Sequence, residues 1–252
     1  VAAEPWVLGN KVGMVGVSYP GISQLFVAST QPPSLAAITP LSVLDDSYRG
    51  TLYPGGILNT GFAVEWTKQR MESSAPYGQA WSKEQADSGD TVCADNQKLR
   101  LQNPDLVGLI EANPYYAPEV ADAINPTLLV DRITVPVFVA GAWQDEQTGG
   151  RFPSLLDNFT NTSKLFVTLT NGLHTDSIGP AIMARYVEFL NLYVADRVPD
   201  LSTAVAPSSI LSSTLYGVDV GLDPTNRFAD MSLEEARTAF EAEGRVRILF
   251  ES

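Results

Sequence analysis

Three residues of types that can cooperate in acyl transfer each follow an apolar run in this chain. Ser18 lies in "MVGVSYPG" (Met14 to Gly21), between apolar residues and a glycine three positions on. A serine hydroxyl is a poor nucleophile at neutral pH, so it needs an imidazole to take its proton and a carboxylate to hold that imidazole in one tautomer. The chain has one imidazole, His174 in "TNGLHTD". The carboxylate expected beside it is Asp145, in "VPVFVAGAWQDEQTGG". Two other acids compete for that role: Glu146, which points away if Asp145 points in, and Asp176, two residues past the histidine. Asp131 precedes its apolar run and lies at the wrong end.

The elements that must position these residues are legible as patterns. "KVGMVGV" reads as a strand buried on both faces, and "GISQLFVAST" carries helical spacing until "QPP" stops it, so Ser18 sits at a strand-to-helix turn. "LAAITPLSVL" (Leu35 to Leu44), "VPVFVAG" (Val135 to Gly141) and "KLFVTLT" (Lys164 to Thr170) read as further buried strands. "GGRFPSLLDNF" reads as an amphipathic helix, and "GPAIMARYVEFLNLYVADRVP" as a long one ended by Pro199. Strands alternating with helices predict an α/β fold with a mostly parallel sheet. In such a sheet ligands bind at the carboxyl ends of the strands, and Ser18, Asp145 and His174 all lie just past one. This predicts that they converge there, with the Ser18 and His174 side chains within hydrogen-bond reach or somewhat looser without substrate.

Residues 46–131 break the alternation, with helical candidates at "GFAVEWTKQRM" and "ADNQKLRLQNPDLVGLIEA" and no convincing strand. They read as a helical cap inserted over the sheet edge; the alternative is a structural excursion with no contact to substrate. The chain then divides into a first core part with the serine turn (1–45), the cap (46–131), a second core part with the acid and histidine loops (132–200), and a linker leading into a C-terminal β domain (201–252).

Ser18, Asp145 and His174 stand in the chain order of α/β-hydrolases, which differs from the chymotrypsin-like and subtilisin-like orders. Side chains at Gly16 and Gly21 would collide across the tight turn. The second glycine falls one place later than in the general G-x-S-x-G motif. The resulting G-x-S-Y-P-G resembles the G-x-S-Y-x-G turn of the CocE/NonD serine hydrolases, the cocaine esterase and X-prolyl dipeptidyl peptidase family. "GAWQD" is similar to that family's G-G-W-x-D acid loop, aligning Trp143 and Asp145, and "DDSYRGTLYPGGILNTGF" resembles the start of its helical cap. The histidine stretch departs from the family's frequent G-P-W-x-H, reading "NGLH" instead. The resemblance covers about Val12 to Val198. It implies an α/β-hydrolase-type sheet with a helical cap and a catalytic triad of Ser18, Asp145 and His174. It further implies first strands and a second oxyanion donor, a tyrosine hydroxyl, from sequence ahead of Val1. "GRVRILFES" would then open a β jelly roll, in a chain excised from a longer enzyme.

The backbone N–H of Tyr19, at the start of the following helix, is one expected oxyanion donor. Tyr19 and Trp143 flank the triad positions and either line an apolar substrate pocket or pack in the core. The expected activity is hydrolysis of an ester or amide through an acyl-serine intermediate, of the cocaine esterase type. The alternatives are an X-prolyl dipeptidyl peptidase and, from another class, a non-catalytic hydrolase-like binding or scaffold protein. The substrate is expected to be a small ester, amide or short peptide.

Composition narrows the rest. At 252 residues and 44% apolar content the chain can bury a large core. Its net charge of −13 repels phosphate backbones and anionic lipid, so no nucleic-acid partner and no membrane partner is expected. One histidine without paired cysteines argues against a zinc site, and no cofactor is expected. Cys93 stands alone, so the fold does not depend on an intrachain disulfide. Asn158 and Asn161 fit glycosylation sequons by pattern alone. Secreted and cytoplasmic locations are both compatible, and oligomeric state is not legible.

Overall fold

Five strands, all parallel, lie side by side in chain order in the computed structural model, which describes residues 1–162 and 164–250. They are β1 (Val12–Val17), β2 (Leu35–Leu41), β3 (Val137–Ala142), β4 (Leu165–Thr170) and β5 (Val246–Leu249). Every residue of β3 and β4 is buried, Thr168 and Thr170 of β4 included, as in strands covered on both faces. Register aligns the carboxyl ends: Val17 pairs with Leu41, Leu41 with Ala140, Ala142 with Thr170 and Thr170 with Leu249. On one face Leu25, Ile38, Val139, Phe152 and Leu155 form the core. On the other, Phe138, Phe166, Phe189 and Phe240 meet in tilted and edge-to-face pairs.

The chain forms two compact units, 1–46 with 125–252 and 47–124. The first holds the sheet. Its α1 (Tyr19–Ser29) follows β1 directly, and Gln24, fully buried, ties the two layers by accepting from Thr39 N (2.8 Å) and donating to Pro20 O (3.0 Å). Residues 125–131, expected in the cap, belong to this unit. Thr127 N and Oγ1 donate to Asp45 O (3.1 and 2.8 Å), and Asn125 Nδ2 donates to Asp46 (3.1 Å).

The second unit is helical: α2 (Phe62–Ser74), α3 (Ala80–Asp87), α4 (Thr91–Leu99), α5 (Leu106–Ala112) and α6 (Pro118–Ala121). The run expected as one helix from Ala94 to Ala112 is divided, because Pro104 has no N–H to give and Asp105 starts a new helix by accepting Gly108 N (2.9 Å).

Other expectations are corrected in the first unit. The segment "GGRFPSLLDNF" forms a 3₁₀ helix over Phe152–Asn158. The long helix is α7 (Pro180–Tyr193), which ends before Pro199: Asp196 turns left-handed (φ 54°) and Arg197 N reaches back to Asn191 O (3.0 Å). Residues 202–214, expected as a linker, are helical, forming a 3₁₀ turn and α8 (Val205–Tyr216). Then α9 (Leu233–Ala242), capped by Ser232 and Glu235, buries Ala236 and Phe240. The strand expected to open a separate β domain is instead β5, the fifth strand of the same parallel sheet. Its alternation of exposed and half-buried residues is that of an edge strand. Ser163 of the second sequon and the last two residues of "GRVRILFES" lie outside the described residues.

Two glycines permit the turn at Ser18. A Cβ on Gly21 would stand 2.5 Å from Leu41 O and 3.0 Å from Gly16 O, and one on Gly16 would stand 2.5 Å from Pro20 Cβ. Gly21→Ala should therefore cost about 1–3 kcal/mol, as overpacking against backbone does. Gly221→Ala, where a Cβ meets nothing within 4 Å, should stay within about 0.5 kcal/mol of the parent. Urea unfolding of both variants checks this; equal midpoints would show that the turn tolerates a side chain.

Candidate active site

Ser18 is the hinge residue between β1 and α1, half-buried, with backbone angles of φ 63° and ψ −130°. Such angles are costly for a residue with a Cβ and persist only where the surroundings hold them. Here Ser18 N donates to Leu41 O (2.9 Å) and Ile22 N closes the first helical turn onto Ser18 O (2.8 Å). Tyr19 and Pro20 follow in the first turn of α1.

Asp145 and His174 come from the loops after β3 and β4. Both are buried, and His174 Nδ1 lies 2.8 Å from Asp145 Oδ2. Since the carboxylate accepts, Nδ1 carries the proton in the neutral ring and Nε2 is left with its lone pair. Nε2 is buried and has no hydrogen-bond partner among the described residues, so no bond joins it to the Ser18 hydroxyl. Hydrogen bonds between catalytic groups are often long without substrate and tighten with it.

Asp145 is further held by its own turn. Gln147 N and Thr148 N donate to Oδ1 (2.8 Å each), and Thr148 Oγ1 donates to Oδ2 (2.7 Å). Burial works to raise the carboxyl pKa, but the hydrogen bonds from His174 and Thr148 outweigh it and hold it below the ordinary value.

The competing acids take other places. Glu146 Oε2 accepts the backbone N–H of His174 (3.0 Å). Asp176 Oδ2 accepts Leu173 N (2.5 Å), while its Oδ1 accepts the hydroxyl of Tyr216 (2.8 Å). Both hold the histidine loop by its main chain. Neither role was legible, since neither follows from a motif. Tyr19 and Trp143 are 67% and 43% exposed, which removes the core-packing alternative. Gly141, in "GAWQD", lies where a Cβ would press into the Phe152 ring at 2.5 Å.

A strained serine between strand and helix, with an acid–histidine pair at the same carboxyl edge of a parallel sheet, is the arrangement of the α/β-hydrolase fold. The chain belongs to the X-Pro dipeptidyl-peptidase (S15 family), which it matches over residues 1–176. Two crystal structures of a CocE/NonD family hydrolase from Staphylococcus aureus share the fold, at 21% and 20% identity with TM-scores of 0.57 and 0.58. They match 77% and 80% of this chain, which spans only 31% and 32% of theirs. An alpha-amino acid ester hydrolase is similar at 16% identity and a TM-score of 0.49, over 74% of this chain and 35% of its own. No curated protein matches the chain. Among the described residues no helix is long and apolar enough to cross a membrane.

The lowered Asp145 pKa fixes a sign. Between that value and about 3.9, where an unfolded aspartate titrates, the unfolded chain binds more protons than the folded one. Stability from this group is thus complete above about pH 4 and is lost as pH falls through the lower folded value. The stability gap between the parent and Asp145→Asn, read by urea unfolding from pH 6 downwards, should narrow across that window. A gap independent of pH would show that the carboxylate gains nothing from its charge.

Proposed function

We propose that this chain carries the acyl-transfer site of a serine hydrolase, with Ser18 as nucleophile, His174 as general base and then acid, and Asp145 as the group that orients the imidazole. The observation that carries the reading is the buried imidazole whose Nδ1 is occupied by a carboxylate while Nε2 is left open. Nε2 takes the Ser18 proton as Oγ attacks the acyl carbon, and returns it to the leaving alcohol or amine. Water, giving its proton to the same nitrogen, then attacks the acyl carbon, and the acid leaves as the bond to Ser18 Oγ breaks and Oγ takes the proton back. The N–H of Tyr19 donates to the oxyanion, and the exposed rings of Tyr19 and Trp143 border the substrate.

The substrate is a small ester or amide, hydrolysed in the manner of a cocaine esterase. X-prolyl dipeptidyl peptidase activity is the second reading, favoured by the family match. A p-nitrophenyl ester and a prolyl dipeptide anilide, assayed side by side, separate the two. A fluorophosphonate probe separates both from a hydrolase-like binding protein, which would leave Ser18 unlabelled.

Ser18→Ala and His174→Ala should each lower turnover by about 10⁴-fold or more, and the double variant should be little worse, because the residues act as a unit. Multiplicative losses in steady-state kinetics would break the pair apart.

A further inference from the structure

We propose that Ser42, backed by Ser177, is a positioning residue that sets where the His174 imidazole stands relative to Ser18. The inference rests on the reading of Ser18 and His174 as nucleophile and base. Ser42 immediately follows β2 and is 1% exposed. Its N–H continues the sheet ladder to Ala140 O (2.8 Å), and its hydroxyl lies 2.5 Å from the backbone carbonyl of His174. The preceding carbonyl, Leu41 O, is the one that accepts Ser18 N. One peptide unit therefore grips the serine turn through its carbonyl and leads directly into the side chain that grips the histidine loop.

The protons in this bridge can be accounted for. A serine hydroxyl has one proton to give. With that of Ser42 given to His174 O, the hydroxyl of Ser177, fully buried and 2.7 Å away, is the donor to Ser42. The competing path from Ser177 Oγ to His174 O is 3.4 Å, long for a bond between oxygens. The order is Ser177 to Ser42 to the His174 carbonyl. On the other side of the same residue, Glu146 accepts the His174 N–H. His174 is thus held by its main chain from the ends of two strands, β2 and β3, as well as by its ring.

The backbone of Ser42 gives a second, independent indication. Its φ of 46° is left-handed, a region where glycine sits without strain and a residue with a Cβ does not. Backbone geometry alone would be better served by glycine, so the hydroxyl is what distinguishes serine here. This also supplies a clean variant, since Ser42→Gly removes the hydroxyl while relieving the conformation.

The protein's only imidazole makes the readout unambiguous: the Nδ1 proton shared with Asp145 gives one NMR resonance. In Ser42→Gly that resonance should shift or broaden, and kcat should fall about 10- to 100-fold with KM nearly unchanged, as a misplaced base implies. The thermal midpoint should stay near the parent's. An unchanged resonance and kcat would overturn the proposal, as would a loss of turnover no larger than the loss of folded protein. Ser177→Ala, which removes only the donor to Ser42, should move both readouts in the same direction and less. If Ser42→Gly fails to fold, an unaltered resonance in Ser177→Ala overturns the proposal. Fluorophosphonate labelling of the parent at Ser18 keeps the two readings apart. An unlabelled parent sinks the catalytic reading, whereas a labelled parent with a fully active Ser42→Gly variant sinks only the positioning role.

Discussion

The close approach of α1 to the ends of β1 and β2 is the constraint on which the site depends. A helix can begin one residue after a strand only if the chain reverses within a space smaller than side chains allow. Gly16 and Gly21 leave that space, and the Leu41 carbonyl fills it by accepting Ser18 N. Ser18 is then forced into angles it would not choose and set at the mouth of the turn. The burial of Gln24 follows from the same approach. Once helix and sheet are this close, the backbone N–H of Thr39 needs an acceptor from the helix, and Gln24 supplies it.

Parallel pairing converts that local constraint into a shared edge. Because the carboxyl ends of β1 to β5 are in register, whatever follows each strand emerges at one level. Hydrogen bonds past the strand ends extend the order into the loops: Ser42 N to Ala140 O, Trp143 N to Thr170 O and Gln144 N to Gly172 O. The acid and histidine loops are in this sense continuations of the sheet, and their side chains inherit its rigidity.

The parts of the fold legible in the sequence are those written in contiguous residues. Parallel strands appear as apolar runs, and β1 to β4 lie where those runs are, although β1, read as buried on both faces, is an edge strand that is half-buried with Val15 exposed. The Ser18 turn was legible because its glycines are local, and Asp145 and His174 because each follows a run. What was hidden depends on residues far apart in the chain. Nothing in "PLSVL" announces that Ser42 reaches His174, 132 positions on, and Glu146 was read only as a rival acid. Strand β5 was legible as a strand, but the resemblance assigned it to a following jelly roll, and its half-exposed, charged pattern fits an edge strand of any sheet. Helix α9 is a different case. Ser232 and Glu235 are spaced as a capping box ahead of a helical apolar pattern, so its signal was present in the sequence.

The support of Asp145 is largely its own. The carboxylate accepts four hydrogen bonds, and three of them come from Gln147 and Thr148, within its own turn. Its charge is therefore stabilised whether or not the imidazole donates at a given moment. The imidazole has no comparable independence, because Nδ1 meets the carboxylate and Nε2 meets no partner among the described residues. The asymmetry assigns the direction of control: the carboxylate dictates the tautomer of the imidazole. In the proposed reaction, an Nε2 that takes the Ser18 proton leaves a positive ring facing a carboxylate that Thr148 as well as the ring itself holds ionised. The charge separation is thus met by groups in place beforehand, with no reorganisation of the loop.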